Sequence, residues 1–163
     1  MGARSSWIAM EIARLLANHI RSTNSGWVFS NMGYMCMPGS PNVIKRPAIS
    51  YVRFGRIPGD MLPIGTLPLA PDLAVEVVEP SDLAYDIQRT AEVYMDAGVG
   101  SLWLVYPETR QLRIHRSDRT IIGLNEEDRL MDDPTVPEFQ CQVCDFFSLP
   151  LPDETMRSLL EVE

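Results

Sequence analysis

Positive charge is scarce in this 163-residue sequence. Lys45 is the only lysine, 14 Lys and Arg residues face 22 Asp and Glu residues, and the formal net charge is −8. This balance argues against a surface that coats nucleic acid, because phosphate contact needs clustered cations, but it permits a local basic strip. The sequence also lacks an apolar run of the ~20 residues that span a bilayer and a secretory signal pattern. We therefore expect a cytoplasmic protein.

Cysteine is rare as well, with three residues in all. Cys141 and Cys144 form a C-x-x-C pair, but zinc sites of this kind usually contain a second pair of ligands. Neither His19 nor His115 is close to the pair in sequence. We expect two small, reduced strand residues here and no zinc.

The length suits one globular domain with a substantial core, which we assign to residues 1–150, followed by a tail at 151–163. Apolar residues at three- and four-residue spacing predict a helix from about Trp7, which residues 24–26 end. The later pattern predicts strands at 27–37, 43–54, 72–78, 101–105, 111–116 and 120–124, a turn at 38–42, a helix at 83–97, a loop at 125–137 and an apolar segment at 139–147. Within 111–116, we expect Leu112 and Ile114 to be exposed, opposite Arg113 and His115.

The order of these elements indicates helices on a mixed sheet, so the fold class is α/β or α+β. Residues 72–78 are almost wholly apolar, as in a strand that is buried on both faces at the centre of a sheet. Residues 55–71 are dense in Gly and Pro, which excludes a helix. They predict a long ordered connection of a kind that is often functional.

Glu76 interrupts the apolar strand at 72–78. An unpaired, ionised carboxylate there would be costly, so Glu76 either pairs with an arginine such as Arg89, faces a solvated cleft, or binds a metal. Asp72 lies on the same strand face, but four residues span roughly 13 Å, too far for one ion. Both remain candidate catalytic and metal-binding residues, and a structural or supporting role suits Asp72 better.

Five stretches of the sequence resemble the Uma2 (DUF820) family, in the family's order. They are residues 45–52, 55–58, 70–82, 94–99 and 103–110. The resemblance extends from about residue 8 to residue 147. It implies the restriction endonuclease-like PD-(D/E)XK fold, with an α-β-β-β-α-β core, and a Mg²⁺- or Mn²⁺-dependent endonuclease that hydrolyses DNA phosphodiesters. The acidic ligands would lie on the second and third strands, and a lysine on the helix after them.

The resemblance gives Glu76 the role of the third-strand acid. Two other family positions are changed in this sequence. The family typically has R-P-D where this chain has Ala48 as the third residue, so the second-strand carboxylate is missing. It has K-x-x-x-Y where this chain has Thr90 four residues before Tyr94, so the catalytic lysine is missing too. We expect a degenerate site with activity lowered by orders of magnitude, because such residues act as a unit.

Three hypotheses follow from these changes. In the first, the chain is a non-catalytic member of the family with a role in nucleic-acid binding, regulation or dimerisation. In the second, it is a working nuclease that recruits Asp72, Asp86 or Glu92 to the metal. In the third, Ala48 is a deliberately introduced inactivating change. Thr90 agrees less well with this hypothesis, because a lysine is seldom replaced by threonine for that purpose. We favour an inactive chain.

DNA is the expected partner. The candidates for phosphate contact are Lys45, Arg46, Arg53, Arg56 and Arg89, of which the first four flank the predicted cleft. Arg110, Arg113 and Arg116 alternate faces on a strand, and we expect them to be solvated surface. The apolar segment at 139–147, together with the resemblance, favours a homodimer. We expect no membrane association and no small-molecule cofactor.

Overall fold

The computed structural model describes residues 1–36 and 43–150. Within these residues the chain forms, in order, α1 Ala3–Thr23, β1 Gly26–Ser30, β2 Ile49–Arg53, β3 Leu73–Val77, α2 Ala84–Asp96, β4 Ser101–Tyr106, β5 Gln111–Arg116, β6 Ile121–Asn125, β7 Arg129–Leu130 and β8 Cys141–Gln142. The predicted α-β-β-β-α-β core with a β tail is confirmed, and the class is α+β.

The strands β1 to β6 form one mixed sheet in sequence order. At its centre, β3 pairs antiparallel with β2 and parallel with β4, and α2 makes the crossover that a parallel pair requires. Leu73, Ala74 and Val75 are completely buried. The central position predicted for this apolar segment is therefore confirmed. The short strands β7 and β8 pair separately.

Each face of the sheet is covered by one helix. Val75 and Trp103 belong to the core under α1, whereas Ala74 and Leu104 belong to the core under α2. Successive side chains of a strand point to opposite faces. Glu76 is therefore directed toward the α2 side, as Ala74 is.

The helix α1 confirms the prediction from apolar spacing. Its buried residues are Ser5, Ile8, Ala9, Ile12, Leu16 and Ile20. The helix ends where Asn24 adopts the left-handed conformation, with φ of 48°, which Asn tolerates better than most residues.

Two predicted strands are shorter than expected. The antiparallel pair is confirmed, but β1 ends at Ser30 and β2 begins at Ile49. Between them Tyr34 is fully buried and makes single bridges to Lys45 and Leu67. Pro47 has no N–H to donate, which helps to keep β2 from extending toward its N-terminus. The predicted turn at 38–42 lies outside the described residues.

Residues 55–71 form the predicted connection without α-helix or paired strand. They do contain a 3₁₀ turn at Pro58–Asp60, so the exclusion of any helix was too strict, since proline suits the first position of a helical turn. Ile57 and Leu67 are buried beside α2. The connection therefore covers the part of this face that α2 leaves open near β2.

The prediction that Leu112 and Ile114 are exposed is wrong. Their exposed fractions are 0% and 1%, because they lie on the α1 side of the sheet, in the same core as α1 and the C-terminal segment. Arg113 occupies the opposite, exposed face of β5.

The apolar segment at 139–147 packs into the chain's own core. It contains β8 and a 3₁₀ helix, Val143–Phe147, and the loop before it contains β7. Phe139 and Phe146 lie 5.8 and 6.1 Å from the ring of Trp103. Their apolar surface is therefore used within the chain, and this segment does not supply the dimer surface that its composition suggested.

In the part of the chain that the structure describes, no helix has the length and apolar character needed to cross a membrane. Residues 151–163 lie outside that part. The division into a domain at 1–150 and a tail stays a prediction.

Candidate active site

Glu76 lies on the α2 side of β3 and is partly buried. Its Oε1 accepts a hydrogen bond from the Tyr94 hydroxyl, with 2.7 Å between the oxygens. The backbone at Ala48 is also close enough to lower the pKa of this carboxyl group. The ion pairs formed by the described residues do not include Glu76. The pairing with Arg89 is therefore wrong, and Glu76 faces a small cleft.

Burial raises the pKa of Glu76, because the ionised carboxylate loses water. The hydrogen bond from Tyr94, the backbone at Ala48 and the positive charge of Lys45 act in the opposite direction, while the negative charge of Asp82 adds to the rise. The pKa remains above its ordinary value. Burial therefore makes ionisation of this carboxyl group less favourable than it is in water.

Ala48 lies near Glu76, just before the β2–β3 pair. In the antiparallel register Ile49 pairs with Val75 and Ser50 with Ala74. Ala48 immediately precedes this paired region, and its side chain belongs to the core under α1. The backbone at Ala48 is nevertheless close enough to Glu76 to affect the pKa of its carboxyl group.

Thr90 faces the same space from α2. A cleft of about 190 Å³ lies between β3 and α2, and Glu76 and Thr90 both line it. Asp82 and Asp86 line it as well, and the other lining residues, Val77, Val78, Ile87 and Leu104, are apolar. The cleft thus contains Glu76 and Thr90, the position where the family resemblance implies a lysine, whereas Ala48 is not among its lining residues.

The sequence analysis did not assign Tyr94 to the site. Burial and the neighbouring Glu76 raise the pKa of Tyr94, so its hydroxyl keeps its proton and donates to the carboxylate. Tyr94 follows Thr90 by four residues, which places both side chains on one helix face. This four-residue spacing was the feature of the sequence from which Tyr94 could have been predicted as a site residue.

Asp72 lies at the opposite end of β3, next to two arginines. Its carboxylate accepts from the Arg53 backbone N–H at 2.9 Å and pairs with the guanidinium groups of Arg53 at 3.4 Å and Arg56 at 2.9 Å. This cluster is roughly 13 Å along the strand from Glu76. The geometry favours the structural role for Asp72. Its role as a metal ligand stays a prediction.

The other predicted basic residues do not form one strip. Lys45 pairs with Tyr34 in a loop and is close enough to Glu76 to lower its pKa. Arg46 donates to the carbonyl oxygen of Asn31 at 3.5 Å. Arg89 is exposed on α2 and does not line the Glu76 cleft.

The described residues do not fit a Mg²⁺ ion at this site. Among them, no three His, Cys, Asp or Glu side chains are placed to hold a metal, whereas Mg²⁺ requires several oxygen ligands in octahedral geometry. Of the three acids considered as substitutes, Asp86 shares the cleft with Glu76. Asp72 is at the far end of the strand, and Glu92 accepts a hydrogen bond from Gln88 outside the cleft.

The cysteine pair has the character of core residues. Cys141 is buried and Cys144 is partly buried, and both are free thiols. Burial raises the pKa of Cys141 to about 12, so this thiol is protonated at neutral pH, as expected for a core cysteine.

The mixed sheet, with an acid in the middle of β3 beside the start of β2 and under α2, defines the restriction endonuclease-like class of fold. The chain belongs to the Uma2 family: the family model, described as "Putative restriction endonuclease", matches residues 1–144.

Among solved structures, "a putative nuclease belonging to DUF820" from Anabaena variabilis ATCC 29413 matches with a TM-score of 0.75 and 16% identity. The match covers 90% of this chain and 82% of that chain. At this identity the likeness concerns the fold. A comparison with curated proteins finds no match.

Proposed function

We propose that this chain has the fold of a Mg²⁺-dependent DNA endonuclease of the Uma2 type and a degenerate site that no longer hydrolyses phosphodiesters. The observation that carries the proposal is the position of Ala48. Ala48 immediately precedes β2, the strand that pairs with the Glu76 strand, at the position where the family resemblance implies the second acid, and its methyl group provides no ligand.

The environment of Glu76 supports the same conclusion. Metal-assisted hydrolysis needs ionised ligands that hold the metal, lower the pKa of its bound water and stabilise developing charge. Here the single acid between β2 and β3 has a raised pKa and accepts the Tyr94 hydroxyl. We therefore derive no catalytic step through a metal ion for this chain.

The missing lysine is a smaller defect than the missing acid. Thr90 provides no charge, but Lys45 contributes positive charge near Glu76 from the loop before β2. A cation is thus still present near the cleft, in a different place. Asp82 and Asp86 line the same cleft, but among the described residues they do not form with Glu76 a group that could hold a metal ion, and Asp82 also accepts the backbone N–H of Glu79 at 2.8 Å.

Calorimetric titration of Mg²⁺ and Mn²⁺, run beside a plasmid-nicking assay, tests this proposal. We expect neither saturable metal binding nor nicking by the natural sequence, and no difference between it and Glu76→Gln. Metal binding and nicking that both disappear in Glu76→Gln would refute the proposal and support a working nuclease with substitute ligands.

A role in DNA binding without cleavage is the second candidate. The side chains of Arg53 and Arg56 both form ion pairs with Asp72, but they remain accessible, with exposures of 67% and 33%. Such side chains suit phosphate contacts that position DNA. A homodimer remains a further expectation from the family resemblance, and sedimentation equilibrium of the full chain tests it.

A further inference from the structure

The outer edge of β6 is uncovered in the part of the chain that the structure describes. The six-stranded sheet ends in β1 on one side and in β6 on the other. β1 lies against α1, whereas β5 is the only described helix or strand that contacts β6 extensively. Proteins usually protect an open edge with charges, proline or a bulge, because it is a template for another strand. The sequence of β6 has no charge and no proline, and its pairing with β5 is continuous.

The backbone groups of Ile121 and Gly123 are directed outward at this edge. In an antiparallel pair, residues that exchange hydrogen bonds with the neighbouring strand alternate with residues that do not. The Arg116 N–H donates to the Thr120 carbonyl oxygen at 3.0 Å, so every second residue after Thr120 also directs its N–H and C=O groups toward β5. The N–H and C=O groups of Ile121 and Gly123 therefore point away from β5, and no described residue outside the strand pair bonds to them.

The free part of the edge ends at Asn125, the next residue with outward backbone groups. Its N–H donates to Oδ2 of Asp128 at 2.7 Å, and its C=O accepts from the Asp128 N–H at 3.0 Å. The free donors and acceptors are thus those of Ile121 and Gly123. An antiparallel copy of β6 matches them when Ile121 of each copy lies opposite Gly123 of the other, and the two-fold axis then passes beside Ile122.

The side chains around this axis are self-complementary. Ile122 and Leu124 pack on the core under α1, so alternation directs Ile121 to the α2 face, where it is 62% exposed. A Cβ at Gly123 would have no neighbour within 4 Å, which leaves room for Ile121 of the other copy. The two Ile121 side chains become diagonal neighbours, about 7–8 Å apart. On the α1 face, Ile122 meets its own counterpart.

The charges that flank β6 favour an antiparallel copy over a parallel one. Arg119 precedes the strand and is 76% exposed, whereas Glu126 and Glu127 follow it. The carboxylate of Asp118 is held within the preceding turn, where it accepts from the N–H and hydroxyl of Thr120. An antiparallel copy therefore brings Arg119 of one chain near the acidic end of the other, and opposite charges across a strand pair are favourable.

We propose that two copies of this chain pair through their β6 edges, antiparallel about a two-fold axis at Ile122, so that their six-stranded sheets become one continuous sheet. A two-fold interface uses the same surface on both copies. The free backbone groups, the fit of Ile121 against Gly123 and the flanking charges all have this symmetry. No residue of β6 lines the Glu76 cleft, so the interface does not depend on whether the chain cleaves DNA.

Sedimentation equilibrium of the full chain tests the proposal. One strand pair is small beside the about 1,200–2,000 Å² of a standard interface, so we expect a reversible dimer that predominates above about 100 µM protein. Gly123→Pro removes an N–H that the single chain does not use and places a ring at the interface, which an edge strand tolerates. This variant should stay folded and monomeric.

Two outcomes of this experiment overturn the proposal. A natural sequence that is monomeric at about 100 µM leaves the β6 edge to a different partner. A dimer that persists unchanged in Gly123→Pro, with thermal unfolding to check the fold, places the interface elsewhere.

Ile121→Lys tests the same interface without a change in the backbone. It places two like charges beside each other at the axis and should weaken dimerisation by at least about tenfold. Leu83→Lys makes the same change of charge at a residue of similar exposure, 67%, away from β6, and should leave dimerisation unchanged. Equal effects of the two variants would contradict an interface at β6.

Cysteine cross-linking tests the register. Ile122 faces its counterpart in a non-hydrogen-bonded pair, with Cα atoms about 4.5 Å apart, which a disulfide can join. Ile122→Cys should therefore give a covalent dimer when treated with diamide, whereas the natural sequence should not. Leu124→Cys, which faces Thr120 of the other copy, should not cross-link either. Cross-linking of Leu124→Cys as complete as that of Ile122→Cys would refute the register.

Discussion

The hydrogen bond between Tyr94 and Glu76 should make the cost of Tyr94→Phe depend on pH. Tyr94 is fully buried and phenylalanine has nearly the same shape, so the substitution removes little besides the hydroxyl. A net hydrogen bond to an ionised group contributes about 1.5–3 kcal/mol, and one between neutral groups about 0.5–1.5 kcal/mol. The substitution should therefore cost roughly 1 kcal/mol more where Glu76 is ionised.

The sign follows from the raised pKa of Glu76. Above its ordinary value of 4.5, the folded protein keeps a proton that the unfolded chain has released. Stability contributed by this proton is therefore lost as pH rises through the folded-state pKa. The hydrogen bond from Tyr94 lowers the pKa of Glu76. Tyr94→Phe therefore raises this pKa further, and the stability lost on going to high pH becomes larger. Glu76→Gln, which cannot ionise, should remove this part of the pH dependence.

Urea unfolding at about pH 4 and about pH 8 measures these differences. Tyr85→Phe, an exposed tyrosine of the same helix with 73% exposure, is the matched control and should change stability by less than about 0.5 kcal/mol. In the Glu76→Gln background, Tyr94→Phe should cost the same at both pH values. An equal cost at both pH values in the natural background would refute the reasoning.

Two further predictions concern other parts of the chain. The buried Ser101 hydroxyl and Trp103 Nε1–H donate to Asp133 at 2.9 and 2.8 Å, and Asp133→Ala leaves both donors without an acceptor. Urea unfolding should show that the free energy of unfolding falls by about 2–6 kcal/mol. The control Glu127→Ala should change it little. Arg53→Gln with Arg56→Gln should weaken DNA binding and reduce the slope of log K against log salt by up to about 1.8, and unchanged affinity and slope would contradict these contacts.

Local patterns predicted most of the architecture. The spacing of apolar residues in α1 and the apolar run in β3 each specify a buried face directly, because burial determines both patterns. The ends of β1 and β2 were not predictable in the same way. Tyr34 is strand-like in type, but it is buried by contact with Leu67, a residue far away in sequence.

The site was predictable only in part. Thr90 lines the same cleft as Glu76, whereas the assignment of Ala48 to the site stays a prediction from the family resemblance. The bond from Tyr94 depends on how α2 crosses the sheet, which apolar spacing does not specify. The orientation of β5 was missed for a related reason: alternation shows that Leu112 and Arg113 face opposite sides, but not which side α1 covers.

Restoring the two changed positions tests the central claim most directly. Ala48→Asp with Thr90→Lys should gain saturable Mg²⁺ binding and Mg²⁺-dependent plasmid nicking, with a stabilisation of about 2.7 kcal/mol at a Mg²⁺ concentration of 100 times Kd. Addition of Glu76→Gln should abolish the binding and the nicking. If the natural sequence nicks as fast as the restored variant, or if a folded restored variant neither binds Mg²⁺ nor nicks, the account of a degenerate nuclease site is contradicted.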